Sequence, residues 1–214
     1  MNNIFDNIED YIESMMDAED EVLKDLTRET YLKTLHPRMI SGHVQGSFLK
    51  FLVDILQPKN VLEIGCFTGY STICIASALN NNAKITAVEV NDELESILRK
   101  YLNKAGVEDK VELIFGDALK ILPTLNCQFD LIYLDAEKSF YPEMLQLIKP
   151  LLKVKGILIA DNVLWSGKVL ENYDKTDKMT KGVIRFNENL KNDTDFSKII
   201  VPMRDGLTLA KKVK

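Results

Sequence analysis

The chain is predicted to adopt an open, doubly wound α/β fold, and three features of its 214 residues predict it. Short β-branched runs alternate with longer helix-periodic stretches through the middle of the sequence. Those runs are apolar at successive positions, as strands covered by helices on both faces must be. A glycine-broken turn, VLEIGCFTGYST at 61–72, follows the first run, where such a fold places its first strand-to-helix junction.

The elements follow in order. Between Ile4 and about Thr34, apolar residues recur at spacings of three and four (Ile4, Ile8, Tyr11, Ile12, Met15, then Val22 and Leu26), which predicts two amphipathic helices. Residues 1–40 are thus a helical appendage within one domain spanning 1–214, a length that suits a single core. A third helix is expected from Gly42 to Leu56, stopped by Pro58. Strands are then expected at 61–64 (VLEI), 84–90 (KITAVEV), 110–115 (KVELIF), 129–135 (FDLIYLD) and 156–161 (GILIAD), with helical crossovers that make them parallel. After a polar stretch at 171–181, a helix over 182–191 leads to SKIIVPM and GLTLAKKV. The turn at Arg204, Asp205 and Gly206 folds these two into an antiparallel hairpin. The result is a Rossmann-like, seven-stranded, mostly parallel sheet with N-terminal helices.

Composition narrows the function. At 46% apolar and 28% charged the chain is ordinary globular protein. Its 27 lysines and arginines against 32 acids give a net charge of -5, so no global attraction draws it to nucleic acid or to an anionic membrane. Cys66, Cys74 and Cys127 lack metal-ligand spacing and sit in or beside apolar segments, which fits a reducing compartment. The acidic start MNNIFDNIEDYIES is unlike a secretory signal and no apolar run approaches a membrane span, so a cytoplasmic protein without membrane contact is expected.

Ligands of such sheets bind beyond the carboxyl ends of the strands. Gly65 and Gly69 let backbone approach a ligand there, and Ser71 or Thr72 adds a hydroxyl at the next helix's N-terminus. Phe67 stands where a dinucleotide fingerprint needs its middle glycine, so a pyrophosphate would be crowded and a nicotinamide dehydrogenase is disfavoured. Glu89 ends the second strand and suits two ribose hydroxyls, while Asp117 and Ala118 follow the third strand, where a short carboxylate reaches an adenine amino group. The set points to adenosine without phosphates. Each piece also has a plainer reading: a turn that only joins strand to helix, and a Glu63 that only caps a backbone N–H.

Asp135 ends the fourth strand and Asp161 the fifth, 26 residues later. On neighbouring strands they stand roughly 5 Å apart. Asn162 adds a third hard oxygen, a set that suits Mg²⁺ and, lacking histidine and cysteine, not zinc. Lys138, three residues after Asp135, is placed to act as a general base, its plainer alternative being a surface ion pair with Asp135 or Glu137. Tyr141 and Trp165 offer rings to an aromatic acceptor, and Lys168, Lys175, Lys178 and Lys181 favour an anionic one unless they only line a solvated loop. His36 and His43 have no partner spacing that makes a triad or metal site.

PRMIS, VLEIGCFTGYST, AVEV, GDAL, FDLIYLDAEKSFY, GILIADNVLWSGKV, IRFNENL and DGLTLAKK together resemble, over nearly the whole chain, the cation-dependent O-methyltransferases that use S-adenosylmethionine, the group of the catechol and caffeoyl-CoA enzymes. The resemblance implies that Met39 and Ser41 close over the methyl donor, that Glu63, Gly65 and Ser71 surround its amino-acid part, that Glu89 holds the ribose, and that Asp117 and Ala118 border the adenine. It further implies that Asp135, Asp161 and Asn162 bind Mg²⁺ or another divalent cation such as Mn²⁺ or Ca²⁺, with Asp135 also bordering the donor and serving catalysis beside Lys138. The usual D-A-D-K reads Asp135, Ala136, Glu137, Lys138 here, and Lys155 precedes Gly156 where many relatives have two glycines. The acid that orients the second hydroxyl in catechol enzymes has no identifiable counterpart. The implied activity is Mg²⁺-dependent methylation of a hydroxyl on a metal-chelating small molecule, catechol-like or phenylpropanoid, by a homodimer. A hydroxyuridine of transfer RNA is the alternative acceptor, against which the acidic balance weighs. A non-catalytic S-adenosylmethionine-binding protein would keep the glycine turn and dispense with the three oxygen ligands.

Overall fold

A computed structural model of the chain describes residues 4–170 and 177–214. Its strands are β1 (Asn60–Ile64), β2 (Lys84–Glu89), β3 (Val111–Phe115), β4 (Phe129–Leu134), β5 (Leu152–Ala160), β6 (Phe196–Val201) and β7 (Leu207–Lys212). They form one sheet in the order β3-β2-β1-β4-β5-β7-β6. The first five strands are parallel, and β7 runs antiparallel to both β5 and β6. The chain order reverses between β1 and β4, so the crevice for a ligand opens there.

The helices are α1 (Ile4–Ser14), α2 (Glu21–Lys33), α3 (Gly42–Leu56), α4 (Tyr70–Ala78), α5 (Glu95–Lys104), α6 (Ala118–Ile121), α7 (Tyr141–Leu151) and α8 (Lys178–Asn192). One apolar layer joins Val61, Ile85, Leu131, Tyr133 and Ile159 of the sheet to residues of α2 through α5. The other joins Leu62, Ile64, Ile132, Leu134 and Leu158 to α7 and α8. Successive strand residues face opposite layers. By that alternation Glu63, Tyr133, Asp135 and Asp161 all belong to the side that α3 covers.

Three expectations are corrected. Strand β5 begins at Leu152 rather than 156, because its pairing with β4 shifts register between Phe129 and Leu131 and Lys155 takes φ +73 within it. Helix α8 begins at Lys178, a turn before Gly182, because Asp177 caps it by accepting from Thr180 N at 3.1 Å. Helix α2 is more than an appendage: its Leu26 and Thr30 are fully buried, and Thr30 Oγ1 donates to Thr68 Oγ1 of the glycine turn at 2.9 Å. Lys175 lies outside the described residues.

Candidate active site

The donor end is built on the turn after β1. Gly65 has φ +86, and a Cβ there would stand 2.0 Å from the carbonyl oxygen of Asp135, so only glycine lets the β1 and β4 ends meet this closely. A cleft results, lined by Met39, Ile40, Ser41, Gly65, Cys66, Phe67, Ser71 and Asp135 among others. Ser41 is buried at the start of α3, and Met39, in the short turn before it, is exposed.

Acids surround this cleft. Glu63 is wholly buried; its Oε1 accepts from Ser71 Oγ at 2.5 Å, and its Oε2 has no partner among the described residues. Burial pushes the Glu63 carboxyl up to about 7, against the Ser71 hydrogen bond and with help from Asp135 and Glu89. Glu89, also buried, accepts Phe67 N at 2.8 Å on one oxygen and Asn91 N at 3.0 Å on the other. Each oxygen keeps a lone pair for a hydroxyl. Asp117 is exposed and caps α6 through Leu119 N at 2.9 Å, with Ala118 half-buried behind it. Three carboxylates about one turn, one with a vacant buried acceptor, suit a ligand that carries positive charge and N–H donors. An adenosyl sulfonium with its amino-acid ammonium meets that requirement.

The second group adjoins the first through Asp135. Leu134 pairs with Ala160 across β4 and β5, and Asp161 N donates to Leu134 O at 3.0 Å, so Asp135 and Asp161 leave adjacent strand ends on the same face. Asp161 Oδ2 accepts from Gln45 Nε2 at 2.6 Å and Tyr133 Oη at 3.1 Å, and Oδ1 accepts from Asn162 N at 2.6 Å. Burial and then the Asp135 charge raise the Asp161 carboxyl to about 6, against the pull of Lys138 and Gln45. Asn162 has φ +57, a left-handed conformation that asparagine tolerates. Lys138 is buried; its ammonium donates to Asp135 Oδ1 at 2.8 Å and Tyr141 Oη at 2.7 Å. Among the described residues no cluster of three or more histidine, cysteine, aspartate or glutamate side chains is set for a metal. Asp135, Asp161 and Asn162, at the neighbouring ends of β4 and β5, carry oxygens of the kind a hard divalent cation takes.

The structure brings the predicted Asp135, Asp161, Asn162 and Lys138 together, with Met39, Ser41, Glu63, Gly65, Ser71 and Glu89 around the adjoining cleft. It moves Tyr141 out of reach of an acceptor: the residue is fully buried, its hydroxyl 3.0 Å from Leu134 O and 3.1 Å from Asp161 O, where it braces Lys138. Trp165 has φ +48 and a buried indole N–H without a partner among the described residues. His43 contacts Asp17 O at 2.9 Å, and His36 starts the turn before α3. Sequence reasoning missed Gln45 and Tyr133. The signal for Gln45 was a polar residue in the buried stripe that Leu49 and Val53 continue.

Residues 13–213 match the family model described as O-methyltransferase. The chain is 33% identical to a catechol O-methyltransferase of Niastella koreensis, covering 98% of each, and 32% identical to a caffeoyl-CoA O-methyltransferase of Stellaria longipes, covering 94% of this chain and 87% of the relative. Among solved structures, it is similar to the tomaymycin-synthesis O-methyltransferase of Streptomyces achromogenes in complex with S-adenosylmethionine. That match has a TM-score of 0.89 and 31% identity and covers 97% of this chain and 96% of the other.

Proposed function

The chain belongs to the O-methyltransferase family and is an S-adenosylmethionine-dependent O-methyltransferase; from that premise we propose that it methylates a hydroxyl of a small acceptor that chelates a divalent cation, of the catechol or phenylpropanoid kind. The observation that carries this reading is the placing of Asp135 and Asp161 on adjacent strand ends, with Asn162 beside them and Lys138 on Asp135, against a cleft that Asp135 itself lines. Relatives named for catechol and caffeoyl-CoA support the acceptor class.

S-adenosylmethionine supplies an electrophilic methyl on a positively charged sulfur. Asp135, Asp161 and Asn162 would hold Mg²⁺, which would supply positive charge that makes an acceptor hydroxyl more acidic. Around them the chain's residues orient and exclude water. Glu63 and Ser71 receive the donor's amino-acid end, Glu89 its ribose hydroxyls, and Asp117 with Ala118 its adenine, while Met39 and Ser41 cover it. Gln45 and Tyr133 hold the Asp161 carboxylate in one rotamer. Lys138, held between Asp135 and Tyr141, is placed to assist removal of the acceptor's proton. A wider depression of 540 Å³ lined by Tyr31, Leu35, His36, Pro37, Arg38 and Met39 shares Met39 with the donor cleft and offers the acceptor a route in. Its Arg38 suits an acceptor with an anionic tail. Helix α3 leaves Phe51 and Ile55 exposed, a face that suits the homodimer; light scattering at twice 24.4 kDa supports it and a monomer mass refutes it.

The test is transfer of labelled methyl from S-adenosylmethionine to a vicinal dihydroxyphenyl acceptor, with Mg²⁺ and with chelator. Product with Mg²⁺ that the chelator abolishes is expected. Equal rates in both, or labelling of transfer RNA alone, would overturn the proposal.

A further inference from the structure

The turn between β6 and β7 contacts both halves of the site without lining either. Its backbone holds the loop after Asn162: Val163 N donates to Gly206 O at 3.1 Å and Leu164 N to Asp205 O at 2.9 Å. Asp205 Oδ1 accepts from Ser166 N at 2.5 Å. The side chain of Arg204 reaches the opposite way. Arg204 Nη1 donates to the carbonyl oxygens of Ile40, at 3.3 Å, and Ser41, and lies 3.4 Å from Gln45 Oε1. Gln45 Nε2 in turn donates to Asp161 Oδ2 at 2.6 Å.

Two features argue that these contacts serve the site. Arg204 has φ +47, a conformation glycine adopts without strain, so backbone shape alone does not account for an arginine here. The Gln45 amide meets a guanidinium on one side and a carboxylate on the other, and only one of its two flipped orientations satisfies both.

We propose that Arg204 is a positioning residue that fixes the 36–41 segment over the donor cleft and turns the Gln45 amide toward Asp161, so that donor closure and the metal-binding carboxylate share one anchor. This rests on the donor and cation roles given above. The anchor makes donor and cation binding cooperative, and linkage requires each to tighten the other by the same factor.

The experiment is calorimetric titration of S-adenosylhomocysteine into the full chain, with and without Mn²⁺, for the parent, Arg204→Gly and Arg204→Lys. The parent should bind more tightly with Mn²⁺ present. Arg204→Gly keeps a residue at ease with the turn, so its melting temperature should match or exceed the parent's, while affinity falls about tenfold, the loss of a charge-assisted hydrogen bond, and the Mn²⁺ enhancement disappears. Arg204→Lys, with one donor group in place of a fork, should fall between. A purely structural role predicts the reverse: a lowered melting temperature with affinity and enhancement kept. Arg204→Gly binding within about twofold of the parent, enhancement intact, overturns the proposal, and Arg204→Lys decides by the same measures if the glycine variant does not fold. A parent that binds no S-adenosylhomocysteine overturns the donor reading and this proposal with it; a parent that binds while the variants match it overturns this proposal alone.

Discussion

At Glu63 and Asp161 the protein buries carboxyl groups that would ionise readily in water, and their raised values of about 7 and about 6 have a consequence for stability. Between the unfolded and folded values the native chain binds more protons than the unfolded one, so stability falls as pH rises through that window. Their contribution is complete below about pH 4 and lost above about 7. Acids held low by ion pairing, such as Glu29 at about 2 beside Lys100, act in the opposite sense below about pH 5 and add little slope between pH 5.5 and 8. The ligand-free chain should therefore melt at a lower temperature at pH 8 than at pH 5.5. Glu63→Gln should flatten that slope, raise stability at pH 8 by on the order of 2 kcal/mol, and weaken S-adenosylhomocysteine binding; scanning calorimetry and titration read both. A variant with the parent's slope would remove Glu63 as its source. At this scale the sequence displayed the residues that end strands, since Asp135, Asp161 and Glu89 stand at boundaries the pattern marks. It did not display Tyr133 or Tyr141, whose roles arise from cross-strand and helix-to-sheet contacts between residues distant in sequence.

Helix α8 shows how an element places a side chain it does not carry. Gly182 lies within it, and a Cβ at that position would stand 2.1 Å from Lys138 O and 2.8 Å from Ser139 Cα. Alanine in place of a helical glycine normally stabilises by about 1 kcal/mol. Here it must push α8 away from the loop that carries Lys138, so Gly182→Ala should lower the melting temperature and cut methyl transfer by more than about tenfold, with donor affinity nearly unchanged. A stabilised, fully active Gly182→Ala would show that the close packing is dispensable. The same glycine obscured the helix in the sequence, where it read as a start rather than an interior residue of tight packing. Strand β5 was obscured in a similar way, because Lys155 at φ +73 interrupts the apolar run that would have marked its first half. Helix α3 was read to its observed bounds, Gly42–Leu56, although Gly46 lies inside it, because the apolar spacing runs on past that glycine through Leu49 and Val53.

Over the whole molecule, the strand order puts β1, β4 and β5 side by side, and that adjacency turns three separate sequence signals into one site. The regular alternation of runs made the parallel, doubly wound sheet legible, while the order of its strands came only with the structure. The anchoring of the 36–41 segment by the β6–β7 turn was not legible, because it joins residues 163 apart. No helix among the described residues is long and apolar enough to cross a membrane. The central claim is that the ends of β4 and β5 hold a divalent cation next to the donor cleft, and Mn²⁺ binding followed by electron paramagnetic resonance tests it without any acceptor. The parent should bind one Mn²⁺ per chain, and Asp161→Asn should bind it more than about tenfold more weakly while still taking S-adenosylhomocysteine, since Asp161 does not line the donor cleft. Undiminished Mn²⁺ affinity in Asp161→Asn, or no binding by the parent, would contradict it.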